Sequence, residues 1–397
     1  ALGADLALIR PPIPEFTILG GLMVDRTDVK HLLSMKSSLT SLSHSLRLIA
    51  GFARDRIRYG RSTRLVMGNA LVGRFLLAAK QAGVQLRTNT RVTGIAPGQE
   101  ASRLTLHRGD TLRVTGGIIL ATGGFGRHPK RREEMLPQLI AEHSPAAPGH
   151  TGELHDIVLG LGARYGQGAV SNAFWAPVSK CPRPDGSMAV FPHFVFDRSK
   201  PGIIAVGADG MRFTNESRSY HEFALAQIAT NTAPAFLVTD ANGLRKYGLG
   251  MARPGGIGAK ALKRAGYLYE AQTLDGLADS LGIDQEGLKA TVADMNRYAE
   301  TGKDAAFHRG ETTYERHNGD PGHGPNPTLG RIGTAPFYAV KLWPGDIGAA
   351  TGLVTDEMAR VLDGAGQPIP GLYACGNDMQ SIMGGTYPGP GINIGPA

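Results

Sequence analysis

The segment from residue 68 to residue 126 constrains the fold more than any other part of the chain. Its first part, GNALVGRFLLAAKQAGV, repeats apolar residues at helical spacing, and Gly83 then supplies a stop signal. An alternating stretch (VQLRTNTRVTGI), a hairpin pattern (LTLHRGDTLRV) and an apolar run that ends in a glycine-rich turn (GGIILATGGF) follow. A helix, a strand, a hairpin and a buried strand in this order predict an α/β nucleotide-binding domain.

Such domains begin with a strand and a GxGxxG turn, whose helix N-terminus binds a pyrophosphate group. Nothing before Gly68 matches that unit. The nearest candidate, residues 160–165, lies mid-chain and has Tyr165 where the third glycine belongs. The sequence also stops at GINIGPA, where a helix should begin. We therefore expect the sequence to be a fragment, incomplete at both ends, that lacks the pyrophosphate-binding turn.

A second region, from about residue 174 to residue 341, has a different pattern. It combines short strands (GIIAVGADGMRF) with helices over HEFALAQIAT, TLDGLADSLG and QEGLKATVADMNRYAETG, the last with Asp284 as its N-cap. Strands and turns return in GLVTDEMARVLDGAGQPIPGLYACGND. We predict an α/β protein in which a Rossmann-like nucleotide-binding domain (residues 1–173 and 342–397) carries an inserted α+β substrate domain (residues 174–341).

Composition excludes several classes of protein. Two cysteines are too few for a disulfide scaffold and favour a reducing cytoplasmic location. No apolar run reaches 18 residues, so we predict no transmembrane segment. The net charge of +8 is concentrated in arginine clusters near residues 47–64 and 127–132. Because no nucleic-acid module accompanies these clusters, we predict no nucleic-acid partner, while peripheral contact with a membrane stays open. The histidines lack metal-ligand spacing, and we predict no metal site.

Five separated segments together resemble FAD-dependent 3-ketosteroid dehydrogenases, most closely those that desaturate the steroid ring between carbons 1 and 2. The segments are ILATGGFGRHP, ADGMRFTNESRSYHEF, PGDIGAATGLVTD, GLYACGNDMQSIMGGTYPGPGINIGPA and the unit around GVQLRTNTRVTGI. The resemblance implies a flavoprotein of the fumarate reductase and succinate dehydrogenase class. It implies FAD as the cofactor, CH–CH dehydrogenation as the reaction, and a small hydrophobic ketone as the substrate.

The resemblance also implies which residues meet the cofactor. In that family the ATGG turn passes near the adenosine half of FAD, and the backbone at the position of Val92 faces the adenine. Gly376 and Asn377 match a turn near the ribityl and pyrophosphate, where many related enzymes have Glu or Asp. The INIGPA segment begins a helix directed at the flavin ring, where a helix N-terminus favours negative charge. The implied cofactor-binding residues are Val92, Ala121, Thr122, Gly123, Gly124, Gly376, Asn377, Asn393 and Ile394.

Three further residues carry the implied chemistry. The tyrosine hydroxyl and glycine amide at the positions of Tyr387 and Gly391 hydrogen-bond the carbon-3 ketone in the family and stabilise a developing enolate. Tyr220 occupies the position of the residue that takes the α-proton. Fumarate reductases have an arginine there, and a histidine in the motif replaced here by GDIGAATG. Both differences favour a neutral ketone over a dicarboxylate.

Alternatives remain open at this point. The carbon-1,2 enzymes have a further tyrosine near the position of residue 20, whereas the first tyrosine here is Tyr59 and the nearby segment offers Phe16. A related cyclic ketone or another site of desaturation therefore stays open. A flavin-dependent reductase of a conjugated double bond is one alternative function, and a non-catalytic protein that cannot hold FAD is another. The sequence does not identify the electron acceptor.

Overall fold

The chain is described by a computed structural model. The described residues are 2–137, 144–168, 170–194, 197–392 and 394–395. They fall into two compact units, Ala1–Thr90 and Arg91–Ala397. The three-part domain division made from the sequence stays a prediction.

The first unit is mainly helical. Its elements are β1 (Thr17–Ile18), β2 (Leu22–Met23), α1 (Arg26–Leu33), α2 (Leu39–Tyr59) and α3 (Met67–Gln81). Helix α1 begins at a capping box, in which Asp25 and Asp28 each accept from the other's backbone N–H. Helix α3 and its glycine stop confirm the helix predicted over this segment. The long helix α2 was not predicted; the residues that it buries, Ser41, Ser45 and Asp55, are polar.

The second unit contains the remaining elements. Its strands are β3 (Val92–Ala96), β4 (Ser102–Leu106), β5 (Thr111–Val114), β6 (Ile118–Leu120), β7 (Ala173–Pro182), β8 (Met188–Pro192), β9 (Ile203–Val206), β10 (Ala235–Thr239), β11 (Tyr269–Ala271), β12 (Phe337–Ala349), β13 (Arg360–Leu362) and β14 (Pro368–Ala374). Its helices are α4 (Pro129–Met135), α5 (Glu153–Leu159), α6 (Tyr220–Ala229), α7 (Ala241–Tyr247), α8 (Ala259–Arg264), α9 (Leu274–Leu281), α10 (Gln285–Thr301) and α11 (Thr313–Asn318). The hairpin predicted over β4 and β5 is confirmed, and Asp284 caps α10 as predicted.

The largest sheet has the strand order β8-β7-β12-β10-β9, and β11 also pairs with β12. Strand β10 (AFLVT) is buried at every position, as expected of a strand covered on both faces. Apolar side chains on one side pack against α9 and α10, and those on the other pack against α6, α7 and α8. This sheet supplies the rigid support for α6.

A smaller sheet places two loops side by side. Strand β14 is parallel to β6, and Ala374 lies opposite Leu120 in the register. Residues 121–124 and 375–378 therefore leave the sheet at the same edge, which is where open α/β sheets bind ligands. The prediction that β6 is buried holds on one face only, because Ile119 is 67% exposed while Ile118 and Leu120 are buried.

Across the described ranges, we find no helix that combines the length and the apolar character needed to cross a membrane.

Candidate functional site

Asp378 joins the two loops at the edge of the small sheet. Its carboxylate accepts hydrogen bonds from the Thr122 amide, from Thr122 Oγ1 at 2.9 Å and from the Gly124 amide at 2.9 Å. The buried ring of His155 adds a contact of 2.7 Å through Nε2. One buried side chain thus holds together chain segments that are more than 250 residues apart.

The charge of Asp378 is stabilised by these neighbours. Burial alone would raise the pKa of its carboxyl group, but His155 and the amides of Thr122 and Gly124 together lower that pKa below its ordinary value. Tyr165 lies behind the ring, with its hydroxyl 3.2 Å from His155 Nδ1. Asp378 is therefore ionised and is stabilised by the groups that donate hydrogen bonds to it. Because the Thr122 and Gly124 amides lie on the other loop, Asp378 orders the two loops with respect to each other.

Glycines let the two loops approach closely. Gly123 and Gly124 have φ values of +94° and +79°, and Gly376 has +61°, all in the region that favours glycine. A Cβ atom on Gly124 would lie only 2.6 Å from the backbone oxygen of Asn377. The side-chain oxygen of Asn377 is buried and has no hydrogen-bond partner among the described residues. At this edge of the sheet the backbones of the two loops are therefore close together, and the Asn377 side-chain oxygen is an acceptor without a partner among the described residues.

A second cluster is built around two tyrosines. Tyr220 is the first residue of α6, whose N-terminus is capped by the Ser219 side chain. Tyr387 lies in the Pro/Gly-rich segment 167 residues further along the chain. Their phenol oxygens are in direct hydrogen-bond contact. The structure thus brings together two of the three predicted catalytic residues.

Aromatic rings surround the tyrosine pair. Phe194 packs edge-on against Tyr220 at 4.8 Å between ring centroids. Phe174 lies 5.6 Å from the Tyr387 ring, and His221 is stacked on it at 5.4 Å with an interplanar angle of 24°. Tyr220 is only 7% exposed. The two phenol hydroxyls therefore lie among flat aromatic rings.

Burial keeps both phenols neutral. It raises the pKa of Tyr220 above its ordinary value of 10.0, and the hydrogen bond to Tyr387 raises it further. Burial also raises the pKa of Tyr387, although the bond with Tyr220 partly offsets this effect. The positive charge of Arg198 lowers the Tyr220 pKa only slightly. Of the two phenols, Tyr220 therefore gives up its proton less readily.

A buried ionic network supports the segment that leads into Tyr220. Glu216 receives two hydrogen bonds from Arg212, at 2.8 and 2.7 Å, and one from Arg309 at 3.1 Å. Arg309 also donates to three backbone oxygens on the chain from Arg198 to Ile203. Burial raises the pKa of Glu216, but the two guanidinium groups outweigh it, so the net shift is downward. This network fixes the start of α6 on the large sheet.

Comparisons with known proteins agree with this geometry. Residues 21–394 match the family model described as FAD binding domain. A 3-oxosteroid 1-dehydrogenase of Mycobacterium tuberculosis is 32% identical over all of this chain and 72% of its own. The chain belongs to the FAD-binding family that includes these dehydrogenases.

Two further relatives are similar over the whole chain. A 4-oxocyclohex-2-ene-1-carboxylate 5-dehydrogenase of Sinomonas cyclohexanicum is 34% identical, with 69% of that protein covered. The crystal structure of the 3-ketosteroid Δ1-dehydrogenase of Sterolibacterium denitrificans, in complex with 1,4-androstadiene-3,17-dione, matches with a TM-score of 0.87 and 33% identity, and 72% of that chain is covered. The predicted fold class, flavoprotein family and CH–CH dehydrogenase class are thereby confirmed.

FAD, the cofactor of this family, fits the edge of the small sheet. The glycines of both loops let backbone segments approach each other closely, and the buried side-chain oxygen of Asn377, which has no partner among the described residues, could accept a hydrogen bond from the cofactor. Ala121 and Thr122 are exposed at the start of their loop, whereas Gly124 is buried against Asn377. These residues would line the cofactor, and Asp378 would hold their loops in place.

The remaining predicted site residues lie elsewhere in the second unit. Val92 is the first residue of β3 and packs on the core of the small sheet. Gly391 has a φ of +96°, and its carbonyl accepts from the amides of Ile394 and Gly395 at 2.9 and 2.8 Å. Ile394 is exposed, and Asn393 lies outside the described residues. The cofactor and catalytic roles of all these positions stay predictions.

Sequence reasoning missed three side chains that the structure places at the site. Asp378 directly follows the predicted pair Gly376 and Asn377, so its position beside that turn was the available signal. No local sequence pattern pointed to His155, because its partner Asp378 lies 223 residues away in the chain. His221 follows Tyr220 and was passed over as a histidine without metal spacing. Within the described ranges, no cluster of potential metal ligands is present, and the expectation of no metal site stays a prediction.

Proposed function

We propose that the chain belongs to an FAD-dependent dehydrogenase that introduces a double bond beside the carbonyl of a 3-ketosteroid or a related cyclic ketone. The observation that carries this proposal is the contact between the phenol oxygens of Tyr220 and Tyr387. A carbonyl oxygen and an α-hydrogen belong to neighbouring atoms of a ketone. The groups that act on them therefore have to be neighbours too, as these two hydroxyls are.

Tyr387 has the role of donor to the carbonyl oxygen, together with the amide of Gly391. Negative charge develops on that oxygen as the α-proton leaves, and donors already in place stabilise it. Loss of one such donor typically costs about 3–4 kcal/mol of transition-state stabilisation. The rings of Phe174 and His221 pack against Tyr387, and a hydrogen bond in such less polar surroundings is stronger than in solvent.

Tyr220 has the role of α-proton acceptor. Only the tyrosinate form can take the α-proton, and the raised pKa keeps the resting phenol protonated, so Tyr220 first has to release its hydroxyl proton to solvent. When the ketone oxygen takes the Tyr387 hydroxyl as its donor, Tyr220 loses the phenol bond that helps to raise its pKa. Substrate binding thus increases the fraction of Tyr220 that is ionised and able to accept a proton, and it also makes the ketone a stronger acid. In this proposal the α-proton leaves before the hydride.

The cofactor and the acceptor complete the reaction. FAD, when bound, supplies at N5 the acceptor for the hydride from the adjacent carbon. The final electron acceptor is unidentified, and a cytoplasmic location remains part of the proposal.

The lining of the site favours a neutral ring. Arg198, the cation that acts on Tyr220, is fully buried, and its donors are used by the backbone oxygens of His193, Phe194 and Glu216. A buried guanidinium with its donors engaged offers little to a substrate carboxylate. We therefore place 3-ketosteroids ahead of ring ketones that carry a carboxylate, such as the substrate in the name of the Sinomonas relative.

The test is a turnover assay of the purified protein with FAD and an artificial electron acceptor. A 3-ketosteroid and 4-oxocyclohexanecarboxylate are supplied in parallel, and mass spectrometry follows the loss of two hydrogens. The matching 3-hydroxysteroid, which has no carbonyl, serves as the control. We expect turnover of the ketosteroid and none of the hydroxysteroid. Bound FAD without turnover of either ketone would contradict the proposal, and reduction of fumarate by a reduced dye would favour the reductase alternative.

A further inference from the structure

His221 is a buried histidine beside the tyrosine pair. It is 3% exposed, and its Nδ1 accepts a hydrogen bond of 3.1 Å from the backbone N–H of Trp175. A backbone N–H can only donate, so Nδ1 carries no proton. In a neutral imidazole the proton then resides on Nε2. The backbone of β7 thus selects one tautomer of this side chain.

The surroundings keep the ring neutral. Burial lowers the pKa of His221 to about 4, while the carboxylate of Glu222 and the backbone of Gly385 oppose this shift only in part. At neutral pH the ring is therefore an uncharged Nε2–H imidazole. Nε2 meets no acceptor in strict hydrogen-bond geometry among the described residues, although the Gly385 backbone interacts with the ring and raises its pKa. The ring is held through its Nδ1 atom and through its flat faces.

The flat face of the His221 ring contacts Tyr387 in the Pro/Gly-rich segment. The ring is stacked on Tyr387, with centroids 5.4 Å apart, and the Phe174 ring centroid lies 6.2 Å from that of His221. Trp175 reaches the same loop by a second route, because its indole N–H donates to Ser171 Oγ at 2.7 Å. Ser171 packs tightly on Gly385, two residues before Tyr387. Both N–H groups of Trp175 therefore act on the segment that carries Tyr387.

We propose that His221 is a positioning residue, held by Trp175 as the Nε2–H tautomer, that fixes the ring of Tyr387 and thereby sets how well its hydroxyl meets the ketone oxygen. The proposal rests on the role given to Tyr387 under the proposed function. It assigns no proton transfer to His221. The requirement is for a flat ring and an acceptor at the δ position in one side chain.

Two substitutions separate these requirements. His221→Phe keeps a flat ring of similar size but leaves the Trp175 N–H without its acceptor. His221→Asn keeps an acceptor near the δ position but removes the stacked ring. Tyr267→Phe is the matched control, because it removes a buried hydroxyl between α8 and β11 whose hydrogen-bond partners are Ser179 and the Met251 amide.

Steady-state kinetics with a 3-ketosteroid is the first readout. A misplaced Tyr387 fails mainly in the transition state, so we expect kcat to fall by about tenfold in His221→Asn while KM changes little. His221→Phe should keep more of the wild-type kcat than His221→Asn, and Tyr267→Phe should keep nearly all of it. Equal kcat values for wild type, His221→Asn and His221→Phe would overturn the proposal, as would a change confined to KM.

Nuclear magnetic resonance of ¹⁵N-histidine-labelled protein is the second readout, and it does not depend on turnover. We expect the His221 ring to show an unprotonated Nδ1 and a protonated Nε2 between pH 6 and pH 9, about two units and more above its pKa. A protonated Nδ1 would overturn the proposal. Wild-type protein that holds FAD yet turns over no ketone would instead sink the proposed function, and the role of His221 with it.

Discussion

The two halves of the candidate site are held by opposite physical means. At the cofactor edge, an ionised carboxylate collects backbone amides, a hydroxyl and a histidine, and its pKa is lowered. At the tyrosine pair, aromatic rings remove water, and the pKa values of both phenols are raised. Charge thus orders the loops at the edge of the small sheet, whereas the tyrosine pair, where we propose that a proton moves, is kept neutral.

The largest expected effect lies at the tyrosine pair. Tyr220→Phe removes the proposed proton acceptor but keeps the ring that packs on Phe194. Positioned acid–base groups contribute about 10²- to 10⁴-fold, so we expect kcat to fall within that range with little change in thermal stability. Stopped-flow reduction of bound flavin by a 3-ketosteroid measures this step. A rate within a factor of two of wild type would remove Tyr220 from the mechanism.

Tyr387→Phe should have a somewhat smaller effect. It removes one of two carbonyl donors and keeps the stack on His221, so we expect a loss of about 10²- to 10³-fold in kcat. KM should change much less, because the hydrogen bond strengthens as charge develops on the oxygen. The same stopped-flow assay measures the effect. A rise in KM without a loss of kcat would mean that Tyr387 only binds the ketone.

A substitution at the edge of the small sheet, where FAD would bind, should change the affinity for FAD and not the rate of the chemical step. Asp378→Asn keeps the shape but loses the charge that orders Thr122 and Gly124. Hydrogen bonds to charged groups contribute about 1.5–3 kcal/mol, so we expect FAD affinity to fall by roughly tenfold or more. Fluorescence titration with FAD measures it. Asp185→Asn, in an exposed turn, is the control. Equal affinities for wild type and Asp378→Asn would refute the role of this carboxylate.

The last expected effects are those of pH, and the pKa shifts behind them have opposite signs in the two halves. The Tyr220 pKa lies above 10.0, so the rate of proton removal should rise steadily from pH 7 to pH 10 without a plateau. The Asp378 pKa lies below 3.8, so its contribution to stability is present above pH 3.8 and is lost as pH falls through the lower folded-state value. A rate profile flat between pH 7 and pH 10 would contradict the first expectation, and acid unfolding unchanged in Asp378→Asn would contradict the second.

The sequence could predict features that depend on residues close together in the chain, but not those that depend on residues far apart. Helix α3, the hairpin of β4 and β5 and the Asp284 cap depend on neighbouring residues, and local patterns were enough for them. Helix α2 was not predicted because the side chains that it buries are polar. The contact between Tyr220 and Tyr387 spans 167 residues, so only the family resemblance could pair them. The links from Asp378 to His155 and from His221 to Trp175 are long-range too, and no local pattern marks them.

Exchange of α-hydrogens tests the central claim most directly, because it depends on this chain's tyrosines and not on hydride transfer. A 3-ketosteroid is incubated in D₂O with wild-type protein, Tyr220→Phe and Tyr387→Phe, without an electron acceptor, and ¹H NMR follows the α-hydrogens. We predict that wild-type protein speeds their replacement by deuterium and that both variants lose most of this effect. Exchange that is as fast in Tyr220→Phe as in wild type would contradict the account.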